Sequence, residues 1–502
     1  MSATRARPGR RGAPWLMLVS TVACGGLDGF GSSLEREQAR TIGTISRTRP
    51  DDDQGQAYQA LQQDAWRREQ RFLDAVQPGH LWRSTRVRQV EIDAGLWSVG
   101  ELYQLGGQLF TLHFTRAVGM GAAQEPPLRR FHAGRRGGPD ALRCASCHWR
   151  GGLAGAGDAA DNAMFRGDGV HQSSTIARNP PALVGAGLRE RLAVEMTAEL
   201  RAIEVEALTF AAQAGYAIEL PLMAKGIRFG SITVDPEGNV DRDEIEGVDP
   251  DLVIKPFGWK GTVATIRDVV EDSLLIHHGM QSEHLVIQGN EPRVGDKGGD
   301  DPDGDGVIEE INEGQVSVLT LFVALQELPQ EQPPEDPWLA SLWARGRLDF
   351  DRLGCAGCHV PELPLDSARW VLPHRYGGPS LTADLTAEGA EPRLAPSVED
   401  GTLRVRLFSD LRRHRMGSGL AEAHTDQGVA GDEFITPPLW GVARSGPYLH
   451  DGRAPTLEDA ILLHGGEALG SAEAFAALDD AERAPLRVFL TSLTRARRLV
   501  TP

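Results

Sequence analysis

Two pentapeptides of the form Cys-x-x-Cys-His stand in the chain, Cys144-Ala-Ser-Cys147-His148 and Cys355-Ala-Gly-Cys358-His359. Thiols at this spacing add across the two vinyl groups of one haem to form thioethers, and the adjoining imidazole becomes the proximal iron ligand. A redox Cys-x-x-Cys or half of a zinc site accounts for the paired thiols, but not for a histidine directly after both pairs. Four of the five cysteines fall in these two motifs. The chain is therefore expected to carry two covalently bound c-type haems, and its fold has to wrap both.

The fifth cysteine bears on where this happens. Arg5, Arg7, Arg10 and Arg11 precede the apolar run Trp15 to Ala23, and Cys24-Gly25 follows. A basic region, a short hydrophobic core and small residues before a cut make residues 1–24 a signal peptide. Two readings of Cys24 stay open. Acylation after cleavage would anchor a lipoprotein to the outer membrane, whereas Thr21, at a place where Leu is usual, fits an ordinary secretory signal. Either way the mature chain is expected in the periplasm. The apolar run is too short for a mature spanning helix, which takes about 20 residues. The net charge of −18 argues against nucleic acid, because no basic stretch of the mature chain could neutralise phosphates, and it leaves room for a basic electron-donor protein.

Residues 25–55 are polar and without period, a flexible tether by composition. A helix with Tyr58, Leu61, Ala65 and Phe72 on one face follows and opens an N-terminal region over 56–328. Residues 329–337 gather prolines and read as a linker, leaving 338–502 as a second region. Each region ends on an apolar helical stripe: Leu319, Phe322 and Leu325 in the first, Leu486, Phe489, Leu490 and Leu493 in the second. Internal repetition goes further. Residues 259–270 align without gaps on 450–461, each with a Gly turn and a Thr placed to cap a helix, and Asn179-Pro-Pro-Ala-Leu-Val-Gly185 matches Thr436-Pro-Pro-Leu-Trp-Gly441 upstream. With 58 Gly and 31 Pro, long loops are expected. The fold class read from this is mainly α, with two cytochrome c-like haem domains and long loops.

The order of these motifs, with Phe257-Gly-Trp-Lys-Gly261, Tyr448-Leu-His-Asp-Gly-Arg-Ala454 and the stretch from Phe434 to Ala468, resembles the bacterial di-haem cytochrome c peroxidase superfamily. Within it, the likeness is to the di-haem oxidoreductase branch, over roughly residues 100 to 496. The resemblance implies that hydrogen peroxide reacts at the N-terminal haem. It further implies that a small donor protein, cytochrome c or cupredoxin-like, feeds electrons to the C-terminal haem, and that a tryptophan at the place of Trp259 couples the two. A buried aromatic on a haem edge is the plainer account of Trp259. His171 stands where a loop histidine caps the peroxidatic haem, although an exposed loop histidine beside Asp168 is equally consistent with the sequence.

At the C-terminal haem the peroxidases carry a Met where this chain has His464, and Met416 is the rival ligand. A histidine there lowers the potential, because thioether ligation favours reduced iron. Glu283, among His277, His278 and His284, is the candidate for proton delivery, with a solvent-exposed loop Glu as the alternative. The resemblance also places a calcium at Asn179. Separately, Asp301, Asp303 and Asp305 have the spacing of an EF-hand-type calcium loop, or of a solvated acidic loop. Three readings of function follow: a di-haem peroxidase, a non-enzymatic electron-transfer cytochrome, and a MauG- or rubber-oxygenase-like oxidase of an organic or protein substrate.

Overall fold

The computed structural model describes residue 82 and residues 85–123, 138–168, 171–288, 301–398 and 400–495. The expected signal peptide with Cys24, the tether and the helix from Tyr58 to Phe72 lie outside the described residues.

Two helix crossings built on the same plan organise the chain. Helix α1 (Val99–Thr111) starts at Ser98, whose side chain accepts from the Glu101 N–H, and buries Leu102, Gly106, Leu109 and Phe110 on one face. The one-turn helix α2 (Cys144–Cys147) carries the first motif. Helix α3 (Ala186–Ala214) and helix α4 (Ile266–Ser273) follow, and then helix α5 (Glu313–Ala324), capped by Asn312, packs across α1. At that crossing a Cβ on Gly106 would collide with the Val318 carbonyl oxygen.

The second crossing repeats the device. Helix α6 (Pro337–Arg352), capped by Asp336, precedes the second motif; helix α7 (Leu457–Leu462) comes later, and helix α8 (Asp480–Ser492) closes the chain against α6. Here a Cβ on Gly346 would strike the Pro485 carbonyl oxygen. In both places glycine lets two backbones approach more closely than any side chain permits. The expected closing helices are thus present, each laid over the helix that leads into a Cys-x-x-Cys-His motif.

The packing does not divide at residues 329–337. Strand Gln330–Glu331, within the expected linker, pairs antiparallel with Leu493–Thr494. Leu363, Leu365, Trp370, Val405 and Leu407 belong to the same buried apolar cluster as Leu102, Leu192 and Phe229, so residues from both sides of the linker share one core. A smaller cluster holds Phe350, Leu353, Phe408, Phe475 and Phe489, with Phe350 edge-on to Phe489 at 5.4 Å.

Helix exceeds strand, 37% against 16%, in keeping with a mainly α reading. Much of the strand follows α3, a 29-residue helix: strands β1 (Ile218–Ala224), β2 (Ile227–Val234) and β3 (Val240–Asp241) form an antiparallel sheet in that order. The tight turn between β1 and β2 is Lys225-Gly226, both at positive φ, and Lys225 is tied down by Glu195, Glu199 and Asp366. No described helix is long and apolar enough to cross a membrane.

Candidate functional site

The second motif folds as a tight turn, Cys355–Gly357, behind Gly354 at φ 83°. His359 follows, with Nδ1 3.1 Å from the Phe408 carbonyl oxygen. Across from it, His464 leaves the end of α7, and its Nδ1 lies 2.7 Å from the Ala460 carbonyl oxygen. In each case a donating Nδ1–H fixes the tautomer and leaves the Nε2 lone pair available, the usual arrangement of a metal-binding imidazole. The two ring centroids are 6.5 Å apart. Two metal–imidazole bonds of roughly 2 Å each, plus the ring radii, span about that distance.

Burial pushes the His359 pKa down to about 4 and also lowers that of His464, so both rings are neutral, as ligation requires. A cavity of about 300 Å³ connects this pair with Cys355, Cys358, Met416, Trp259 and Arg189. Two thiols, two facing neutral imidazoles and an apolar cavity suit a haem. Met416 lines the same cavity, but His464 is the side chain whose ring faces His359.

His414 marks the rim of this site. Its Nε2 is 2.8 Å from Asp410, its Nδ1 is 2.7 Å from Glu467, and the same Nδ1 lies 3.8 Å from the Cys358 sulfur. Burial opposes its charge, yet the hydrogen bonds to Asp410 and Cys358 raise its pKa to about 11. Were Cys358 to carry a haem as a thioether, the thiol's share of that effect would end, while the two carboxylates would remain.

At the first motif, His148 donates from Nδ1 toward the carbonyl oxygens of Pro181 (3.0 Å) and Gly155 (3.3 Å), and burial lowers its pKa to about 4. The thiols, the freed Nε2 and the neighbouring ring of Phe110 suit a haem here as well. The wall beside it is a π-helical turn, Leu274–His278, continuing from α4. Such bulges recur at functional sites.

This turn is pinned to the segment that leads into the motif. Asp140 and Ala141 donate their N–H groups to the His277 carbonyl oxygen at 2.8 and 3.1 Å. His278, fully buried with its pKa lowered to about 4 by desolvation, places Nδ1 2.9 Å from the Ala141 carbonyl oxygen and Nε2 3.8 Å from the Cys144 sulfur. His277 sets Nδ1 3.2 Å from Asp140. Sequence reasoning noted these two histidines only as neighbours of Glu283. The available signal was their place shortly after the Thr265-capped helix, matching His464 after the Thr456-capped one.

The other expected residues sort as follows. His171 lies on the loop of the Ala163–Arg166/Thr175–Arg178 hairpin, half-exposed, with its ring 2.6 Å from Asp168. It is a surface histidine in this structure; the imidazoles flanking the first motif are the buried His278 and the partly exposed His277. Glu283 corrects the proton-delivery expectation: it is exposed, and its carboxylate accepts from the Glu313 N–H at the start of α5 (3.3 Å). Trp259 donates from Nε1 to the Asn179 carbonyl oxygen at 2.8 Å and lines the second cavity. Asn179-Pro180-Pro181 therefore runs from the Trp259 hydrogen bond to the oxygen that holds His148.

The calcium candidates divide. The Asn179 amide donates to the Asp158 carbonyl oxygen (3.0 Å) and to Asn162 (2.9 Å). Carboxylate oxygens of Asp301, Asp303 and Asp305 come within 4.8 Å of one another while accepting backbone N–H groups of their own loop.

Comparison with known proteins bears on the C-terminal part. No curated protein sequence matches the chain. Among solved structures, hydrazine synthase of Kuenenia stuttgartiensis is similar at 15% identity and a TM-score of 0.32, over 76% of this chain and 94% of that one. A MauG-like protein associated with microbial copper homeostasis is similar at 19% identity and a TM-score of 0.24, over 53% of this chain and 77% of that one. The family model described as "Di-haem oxidoreductase, putative peroxidase" matches residues 378–493. The match covers the stretch that carries Met416, Thr436 to Gly441 and His464.

Proposed function

We propose that the protein is an exported di-haem c-type peroxidase, taking electrons in at the second site and reducing hydrogen peroxide at the first. The reading rests chiefly on two unlike sites joined through Trp259. Bound haem supplies the redox-active iron at each place. His359 and His464, whose rings face each other, would both hold a haem bound at the second site, which would suit it to electron entry rather than substrate binding. Trp259 and the Asn179–Pro181 segment bridge toward His148. Each peroxide takes up two electrons and two protons and leaves as two waters. Proton transfer at the first site falls to His277, oriented by Asp140, in place of Glu283. A small donor protein with a basic face complements the net charge of −18.

Export to the periplasm rests on the signal sequence, and acylation of Cys24 is the lipoprotein form of that proposal. The Asp301, Asp303 and Asp305 loop is the proposed calcium site. A chelator should lower the melting temperature if calcium is bound there, and coincident melts would remove it.

One observation favours the electron-transfer cytochrome instead. His278 is buried and neutral, and its Nε2 is directed at the first motif. Were it to occupy the first iron, both sites would be closed to peroxide. Anaerobic consumption of peroxide by the half-reduced protein, with the ferric first site high-spin by electron paramagnetic resonance, is the expected result. Two low-spin sites in every redox state, with no peroxide consumed, would replace the peroxidase with the electron carrier.

A further inference from the structure

Among the described residues the buried arginines come with carboxylates: Arg178 with Glu422, Arg267 with Glu313, Arg413 with Asp249 and Arg495 with Glu327. Arg189, a partly buried residue, differs from them. It stands in the first turn of α3 with its guanidinium 4.5 Å over the Phe257 ring. Its Nε is buried without a hydrogen-bond partner, and no carboxylate among the described residues pairs with it. Desolvation alone brings its pKa down to about 10, so the group stays charged at neutral pH. It also lines the cavity that holds Cys355, Cys358, His359, His464 and Trp259.

A desolvated guanidinium without a counter-ion is strongly unfavourable, and its planar fork of donors matches a carboxylate in a two-bond arrangement. The cavity is otherwise lined largely by apolar and proline side chains, so the missing anion has to come from what fills it. We propose that Arg189 is the counter-ion of a carboxylate on the cofactor held at the second site, a haem propionate. The inference rests on the haem reading of that site. The charge is contributed by a helix far upstream of the second motif, so the second site is completed by the first half of the chain.

The test compares full-length holoprotein of the wild type, Arg189→Lys and Arg189→Gln by spectroelectrochemistry across pH, with haem content measured in each. Removing the positive charge stabilises ferric iron, so Arg189→Gln should lower the potential of the His359/His464 haem and leave the other unchanged. It should also make that potential fall with rising pH through the neutral range, because a carboxylate without its guanidinium binds a proton more readily. Arg189→Lys should keep most of the wild-type behaviour, and it carries the test if the Gln variant fails to fold. Equal potentials and equal pH slopes in all three proteins would overturn the proposal. So would an acetate titration that perturbs the wild-type spectrum but not that of Arg189→Gln, since the site would then take a diffusible carboxylate. A wild-type count below two haems per chain would instead count against the haem reading itself.

Discussion

The two motif sites use the same five-residue signature and the same hydrogen-bonding rule, a proximal Nδ1–H donated to a backbone carbonyl, yet they are finished differently. At the second, one histidine stands on the far side as a ring facing His359, and the rim histidine His414 is a charged group between two carboxylates. At the first, a π-helical turn brings two adjacent histidines against the motif, one buried and neutral, the other oriented by Asp140. Inserting one extra residue into a helical turn redirects every side chain after it. A duplicated unit can thereby keep its proximal half and acquire a new distal half. The proximal side sets what is bound; the distal side sets what that group can do.

The comparison breaks most decisively at the cysteines. Cys147→Ala and Cys358→Ala should each remove one haem per chain by pyridine haemochrome assay, and two retained haems in either variant would end the description of both sites. Next in size, His277→Gln should reduce peroxide turnover roughly 10²–10⁴-fold with haem content intact. Glu283→Gln should have little effect, and the reverse result would return proton delivery to Glu283. His464→Ala should turn the second site high-spin, and a spectrum that stays low-spin would pass the ligand role to Met416.

Crossing-glycine variants probe the shared architecture. Gly106→Ala and Gly346→Ala should each destabilise by about 1–3 kcal/mol, measured by chemical denaturation, and a silent substitution at either place would show that the two crossings are not equivalent. The smallest effect expected is a response to acid. Burial holds His148 and His359 near 4 in the folded protein, below the ordinary 6.5, so between those values the unfolded chain takes up protons that the folded chain refuses. Stability should therefore fall as pH is lowered through that window, and a flat profile would argue that both rings are open to solvent.

What the sequence made legible was whatever depends on local pattern. The motif pairs, the two closing helices and the Thr265 and Thr456 caps are written in spacing and residue type, and the structure has them. His464 was legible because it follows the Thr456-capped helix at a fixed spacing, within the stretch that the family model matches. The first distal wall was not. No spacing rule announces a π-helical turn, and His277-His278 reads as an ordinary helical pair until the bulge turns it. His171 looked suitable by distance along the chain, but Asp168 gives its ring a local partner at the surface. The shared core across residues 329–337 was hidden for another reason: prolines mark where a chain cannot be helix, not where packing stops.

One detail of the hydrogen bonding relates the two halves of the chain. The Asn179 N–H binds the carbonyl of His450, and the Ile435 N–H binds the carbonyl of Trp259. Under the internal alignment Asn179 corresponds to Thr436, next to Ile435, and Trp259 corresponds to His450. Each half thus offers the same segment to the other's matching segment, so that i meets j and j meets i to within one residue. That reciprocity is the mark of a two-fold contact between identical subunits. The contact between the halves therefore has the form of a two-fold interface contained within one polypeptide.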